Sequence, residues 1–247
     1  MNDHTVVAVC GYAGDAFQVK QNMPLYKHHG CPVVVLSPVD SKIELPETDC
    51  RFGGKRAYIG QDSLDRQQRH LELLWDMPGR FFFVNDSDSF CLSPELPRYL
   101  YDKPEVLWSN LVIDNIPGRG DPYPPGWPHI AFQPPYFFSR DVLWKMLSVG
   151  RVEANPVLPF IDFYMVQLAM LGKIPYAGFP DGISCGTMIN DPKDGTPGQP
   201  HPIGSQIIGN AVRDRGTIFI HSVKHIDVVH QLVGQRDQYL RLGPRVA

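Results

Sequence analysis

The sequence predicts an α/β fold: a wound, mixed sheet flanked by helices, followed by an irregular, loop-rich C-terminal half. Three observations predict it. Short β-branched or aromatic runs, Thr5 to Cys10, Val33 to Leu36 and Phe81 to Val84, read as strands buried on both faces. Helix-compatible stretches separate them, which is the alternation of a wound sheet. Proline then crowds two later segments, with seven between Asn115 and Tyr136 and four between Asn190 and Gly204. Neither segment can be regular helix or central strand, and long loops in a compact domain are commonly functional or mobile.

The first strand, "TVVAVC", stops at Gly11. A helix is expected from Asp15, as its N-cap, towards His29, with Pro24 able to kink or split it. Val33 to Leu36 is the second strand, ended by Pro38. "DSLDRQQRHLELLWDMPG" is the clearest helix. Asp62 or Ser63 can cap it, Leu64, Leu71, Leu74 and Trp75 form its apolar stripe, and Pro78 with Gly79 ends it. The strand Phe81 to Val84 comes next. In the second half, "EVLWSNLVI" is expected as a strand, and "AFQPPYFFSRDVLWKML" as a strand or turn entering a helix capped by Ser139. "PFIDFYMVQLAMLGK" is a helix of about three turns, with Phe160, Tyr164, Leu168 and Leu171 along one side. "TIFIHSVKH" is a late strand ending at His221, and "DVVHQLVGQRDQYLRL" a terminal amphipathic helix.

At 247 residues the chain can bury a sizeable core and is read as a single domain over 1–247. With 43% hydrophobic and 20% charged residues, disorder is not the default. A net charge of -3 excludes a global basic field for non-specific nucleic-acid binding, though not a local basic groove. Cys10, Cys31, Cys50, Cys91 and Cys185 are scattered with no CxxC pair, which argues against a disulfide framework or zinc ribbon and suits a reducing compartment. No run approaches the roughly 20 apolar residues of a membrane span. A cytoplasmic protein without integral membrane contact is therefore expected.

The chemistry concentrates in "RFFFVNDSDSFCL". An apolar strand ends in two carboxylates, Asp86 and Asp88, separated by Ser87. In open α/β sheets ligands bind beyond the carboxyl ends of the strands. Two carboxylates two residues apart can face one hard cation, Mg²⁺ or Mn²⁺, which could hold a diphosphate. A capped turn explains the same residues, because Asp and Ser satisfy backbone N–H groups after a strand. An EF-hand loop is excluded, since it needs Gly at the position of Cys91 and Glu at that of Pro97. An aspartyl phosphatase would need a later acidic pair, to which "FPDG" at Phe179 to Gly182 comes nearest.

The order of the pieces resembles the GT-A glycosyltransferases, which use nucleotide sugars. The likeness rests on "VVAVCGY", on a helix and apolar strand ending in DxD in "HLELLWDMPGRFFFVNDSDSF", on "YFFSRD", on Asp162 opening the helix "PFIDFYMVQLAM", and on the late "FIHSVKH". It runs from about Val6 to His225. It implies a GT-A-like, Rossmann-type sheet with a nucleotide half, 1–92, and an acceptor half, 93–247. It implies Mn²⁺ or Mg²⁺ on Asp88 and Asp86, with His221 as third ligand and His225 as its alternative. Asp86 could instead meet the ribose. Asp162 would be the base of an inverting transfer, although the family usually shows two adjacent acids where this chain has Ile161 before Asp162. Its bland reading is a first-turn helix charge.

The donor site implied by the same resemblance uses Gly11 for close approach, Tyr12 for base stacking, Asp40 for ribose or base, and Arg69, Ser87 and Lys224 for phosphate. Arg66 shares a helix face with Arg69, and Arg51, Lys55 and Arg56 flank Gly53 and Gly54 in a basic loop. Each also reads as a solvated charge. Trp108, Trp127, His129 and Tyr136 could form an acceptor platform, with Trp127 and Tyr136 preferred. The acceptor could be a glycan, a lipid-linked sugar or modified nucleic acid, and a bacterial or viral source would fit. A nucleotidyltransferase acting on sugar phosphates and a non-catalytic nucleotide-sugar or glycan-binding module of the same fold are the alternatives. The first should carry a Gly-rich basic loop after the first strand, of which "GYAGDAFQVK" has little. The second should lose the metal carboxylates.

Overall fold

A computed structural model of the chain describes residues 5–28, 30–91, 96, 98–113, 125–155, 161–179, 184–189 and 219–223. Strand β1 (Thr5–Cys10) leads through a 3-10 turn (Ala13–Asp15) into α1 (Ala16–His28). Then come β2 (Val33–Ser37), β3 (Asp49–Phe52), α2 (Gln61–Trp75), β4 (Phe81–Asp86) and β5 (Phe90–Cys91). The short α3 (Tyr99–Asp102) precedes β6 (Leu107–Ile113), β7 (Ile130–Ser139) and α4 (Arg140–Ser148). The remaining described elements are α5 (Ile161–Leu171), β8 (Tyr176–Gly178), β9 (Ser184–Ile189) and β10 (Phe219–Val223).

Seven strands form the main sheet in the order β3-β2-β1-β4-β7-β6-β8. β1 pairs in parallel with β2 and β4, and β2 with β3. β7 runs antiparallel to β4 and to β6, and β8 parallel to β6. The sheet is therefore mixed. A second, three-stranded sheet has the order β5-β10-β9.

Both faces of β1 and β4 are covered, which is why their sequences are apolar without alternation. Side chains still point to the two faces in turn. Val6, Ala8, Phe82 and Val84 join one core with Leu64, Leu71 and Leu74 of α2. Val7, Val9, Phe81 and Phe83 join the other with Val19 and Met23 of α1.

Helix boundaries show where local signals were overruled. Asp15 closes the 3-10 turn instead of capping α1: its carboxylate accepts the Tyr12 backbone N–H at 2.8 Å. The α1 backbone runs through Pro24. α2 starts after Gly60, whose φ of 76° is a left-handed conformation that suits glycine, so neither Asp62 nor Ser63 is the cap. Trp75 leaves the expected stripe and is 38% exposed, held against the Arg140 guanidinium at 4.9 Å. Leu171 is exposed, while Tyr164 and Leu168 are buried. Ser139 does cap α4, accepting the Val142 N–H at 3.2 Å. β10 continues past His221 to Val223. Phe160, Lys224, His225, the terminal helix, residues 115–124 of the first proline-rich segment and all of the second lie outside the described residues.

Candidate active site

β1 lies between β2 and β4, so the chain leaves it in opposite directions along the sheet. That reversal opens a crevice at the carboxyl ends of the strands. Cys10 and Asp86 are register partners there, and the Ser87 N–H donates to the Cys10 carbonyl at 2.7 Å. The chain segments touch closely: a Cβ on Gly11 would stand 2.9 Å from Ser87 Cβ and 3.0 Å from Ile43 Cδ1. Glycine is required here by space alone.

A cavity of about 390 Å³ fills this crevice. Its wall combines the strand ends (Cys10, Gly11, Asp86, Ser87, Asp88), the turn after β1 (Tyr12, Asp15) and the inner face of α2 (Arg66, Gln67, His70). Ser87 Oγ donates to Asp15 at 2.9 Å, which ties the first turn to the DxD loop. Asn22 Nδ2 donates to the Ser89 carbonyl at 2.8 Å and ties α1 to the same loop. A larger cavity, about 680 Å³, lies at the other end of β4 around Trp75, Arg80 and Arg140. It gathers none of the DxD carboxylates, so the smaller one is the candidate site.

Tyr12 stands at the mouth. The Arg56 and Arg66 guanidinium carbons lie 5.0 and 5.2 Å from its ring centre, and the Tyr58 ring lies 5.2 Å away. Arg66 donates to the Tyr12 hydroxyl and, at 2.8 Å, to the Ala57 carbonyl. Arg66 is buried and Tyr58 is 61% exposed. The basic arm at the cavity is therefore Arg66. Arg69 points to the outer face of α2, where it pairs with Glu72 at 2.7 Å. Three residues along a helix leave the two side chains roughly 60° apart, and at the edge of the buried face that offset leaves Arg66 covered and Arg69 exposed.

Asp40 also lies away from the cavity. Its carboxylate accepts the Arg56 backbone N–H at 2.7 Å and fastens the 54–58 loop. Tyr136, expected at the acceptor, is 3% exposed and donates to the Phe132 carbonyl at 2.8 Å. It packs in the core beneath the site, because β7 is a central strand covered on that face. Trp108 is likewise buried, and Trp127 is half-buried against the core.

Asp86 is partly open to the cavity yet densely surrounded. Burial, then the charges of Asp88 and Asp162, push its carboxyl up to about 8, against the pull of Arg66. Asp162 thus comes within electrostatic reach of the DxD pair, although it begins a helix 76 positions later in the chain. Burial raises Asp162 to about 6, opposed by a hydrogen bond with Gln133 that favours its ionised form. Cys10 beside Asp86 is raised by burial first and by the Asp86 charge second.

His70 was not foreseen from the sequence. It is 3% exposed, and neither ring nitrogen makes a well-aligned hydrogen bond. Burial and the Arg66 charge push it down to about 3, weakly opposed by the Gly53 backbone. The available signal was phase: His70 follows Arg66 by four residues, on the same helix face as Leu74.

β10 pairs antiparallel with β5, Phe219 opposite Cys91 and Ile220 opposite Phe90. One further step in that register leads from His221 to Ser89, next to Asp88. The topology therefore returns this strand to the DxD loop; the His221 side chain lies outside the described residues. Among the described residues no group of three or more His, Cys, Asp or Glu could by itself hold a metal ion. The two carboxylates of the pair suit a hard cation, and Asp86, raised by burial first and by the charge of Asp88 next, would be relieved by one.

The expected "SRD" segment is not part of this site. Arg140 sits at the opposite end of β4, where Phe81 pairs with Ser139. It donates to the carbonyls of Gly79 at 2.7 Å, Trp75 at 3.0 Å, and Met77. The Trp75 carbonyl is one left over where α2 ends, and the other two belong to the turn that follows it.

No family model matches the sequence, and no curated protein does. Solved structures do resemble the chain. The galactosyltransferase LgtC, in complex with donor and acceptor sugar analogues, superposes with a TM-score of 0.52 at 12% identity, over 95% of this chain and 95% of that one. An active-site mutant of LgtC gives 0.51 at 10% identity, over 98% and 97%. The fold is GT-A. The catalytic domain of Drosophila β1,4-galactosyltransferase 7 is more distant: a TM-score of 0.40 at 11% identity, with 72% of this chain matched to 66% of that one. Within the GT-A sheet, the cavity at β1 and β4 is the site to be interpreted.

Proposed function

We propose that this chain is a metal-dependent glycosyltransferase that moves a sugar from a nucleotide-diphosphate sugar to an acceptor hydroxyl. One observation carries the reading: Asp86 and Asp88 line a cavity at the strand ends of the GT-A sheet, and Asp162 is near enough for its charge to act on Asp86. The nucleobase stacks on Tyr12, with Arg56 and Tyr58 alongside. Gly11 and Ser87 let the diphosphate approach the backbone. Asp86 and Asp88, with His221, would hold Mn²⁺ or Mg²⁺. That cation, when bound, supplies Lewis-acid stabilisation of the leaving diphosphate. Lys224, just beyond β10, adds positive charge towards the same group.

Asp162 takes the proton from the acceptor hydroxyl as the hydroxyl oxygen attacks the anomeric carbon, with inversion. A carboxyl raised to about 6 is ionised at neutral pH yet more basic than an ordinary aspartate, as a general base should be. Residues 1–92 serve as the donor half and 93–247 as the acceptor half, with Trp127 offered to the acceptor glycan. Among the described residues no cysteine forms a disulfide, and no helix is long and apolar enough to cross a membrane. We place the enzyme in a reducing, cytoplasmic setting.

The test is a thermal-shift screen of nucleoside diphosphates with and without Mn²⁺. The expected result is a rise in Tm that needs both ligand and metal and disappears in Asp88→Ala. A shift that survives unchanged in Asp88→Ala, or no shift with any nucleotide, sinks the proposal.

A further inference from the structure

The inner face of α2 carries more buried polarity than a core-packing helix needs. Ser63, Arg66, Gln67 and His70 are all buried there beside Leu64, Leu71 and Leu74. Arg66 Nε has no hydrogen-bond partner, and the His70 ring has only a weak bond, with the Gly53 backbone. A buried polar group so poorly partnered is destabilising. Leucine at position 70 would extend the apolar stripe at no such cost. The Arg66 and His70 side chains both border the cavity, so a bound molecule is the partner the helix has yet to meet.

The position within the cavity says which part of a ligand this is. Half-buried Tyr12 and exposed Tyr58, with Arg56 beside them, mark the mouth, and Asp86 with Asp88 the charged middle. Arg66, Gln67 and His70 line the remaining, buried wall. With its N–H used by the Gly53 backbone, a neutral imidazole has an acceptor nitrogen left. That acceptor matches a sugar hydroxyl, which donates. It does not match a phosphate, which at neutral pH mainly accepts. Histidine χ2 is a broad torsion, so the ring can turn a nitrogen into the cavity without backbone movement.

We infer that His70, seconded by Gln67, contacts a hydroxyl of the transferred sugar and so determines which nucleotide sugar is accepted. The inference rests on the glycosyltransferase reading. It adds a residue that distinguishes the sugar from the nucleotide.

The experiment compares wild type, His70→Leu and His70→Asn by calorimetry in Mn²⁺. The probes are uridine and guanosine diphosphates and their glucose, galactose and mannose conjugates, with ligand-free Tm recorded for each protein. His70→Leu should bind the bare diphosphate within about 2-fold of wild type and lose about 10-fold or more for the preferred conjugate. His70→Asn, which keeps a donor and an acceptor, should recover part of that loss. The ligand-free Tm of His70→Leu should equal or exceed wild type, as when a functional polar group is removed from a core. Equal loss for diphosphate and conjugate, or unaltered binding of both, overturns the inference while leaving the glycosyltransferase reading in place. Failure of wild type to bind any of these nucleotides overturns both.

Discussion

Asp162 and Asp86 show how much of a residue's chemistry is conferred by its surroundings. Both are ordinary aspartates in the unfolded chain, near 3.8, and both hold protons more tightly once folded, to about 6 and about 8. A raised native value means that the folded state binds more protons than the unfolded one across that window. The associated stability is fully present below pH 3.8 and is lost as pH rises through 6 and then 8. His70 acts in the opposite sense. Its native value, about 3, lies below 6.5, so its contribution is present above 6.5 and is lost as pH falls towards 3. Between pH 3.8 and 6 the two aspartates outweigh the one histidine, so these three groups should make the cation-free protein most stable near pH 4 and less stable towards pH 8. Mn²⁺ should flatten the alkaline decline, and so should Asp86→Asn; Tm measured from pH 4 to 9 tests this, and a pH-independent Tm contradicts it. Catalysis has its own signature at this scale. Asp162→Asn should lower kcat by about 100-fold or more with donor affinity retained. The acid limb of the wild-type pH–rate profile should fall near 6.

The α2–β4 junction separates scaffolding from site. Arg140 bonds three carbonyls at the end of α2 and stacks on Trp75 and Phe82. Arg140→Met keeps a long apolar stem but leaves those carbonyls without their charged donor. Loss of about 1–3 kcal/mol of stability is expected, with nucleoside-diphosphate affinity unchanged. A fall in that affinity at unchanged Tm would instead return Arg140 to the site. Gly11 is the converse case, where the element end itself is the site. Gly11→Ala forces a methyl against Ser87 and Ile43, and such overpacking costs about 1–3 kcal/mol. It should also weaken diphosphate binding, because the β1 and β4 ends must separate; unaltered binding in calorimetry contradicts this.

Across the whole molecule, two sheets converge on one loop. The main sheet delivers Asp86 from β4, and the small sheet returns β10 beside β5, immediately after Asp88 and Ser89. His221→Ala should raise the Mn²⁺ concentration needed for the nucleotide-dependent Tm shift by about 10-fold or more. An unmoved Mn²⁺ midpoint removes His221 from the metal site and leaves the two carboxylates to hold the cation with substrate oxygens.

The strands that form the sheet centre were legible in the sequence because burial on both faces demands continuous apolar runs, as in "VVAV" and "FFFV". The DxD pair was legible because it interrupts such a run with charge. Edge and two-residue strands such as β3 and β5 were not, since "DCRF" and "FC" bear no such demand. Local sequence also placed Arg69 and Tyr136 at the site and Ser-Arg-Asp in the family motif. Helix phase turned Arg69 outward and Arg66 inward. Coverage of β7 buried Tyr136, and the antiparallel pairing of β4 with β7 carried Arg140 to the far end of the sheet. The sequence by itself determined the alternation of elements and the pair of carboxylates at a strand end, because both are local patterns of polarity. Only the tertiary structure decided which distant groups share that end, Asp162, Arg66 and His70, because side chains far apart in the chain come to act on one another's charge only when packing brings them together.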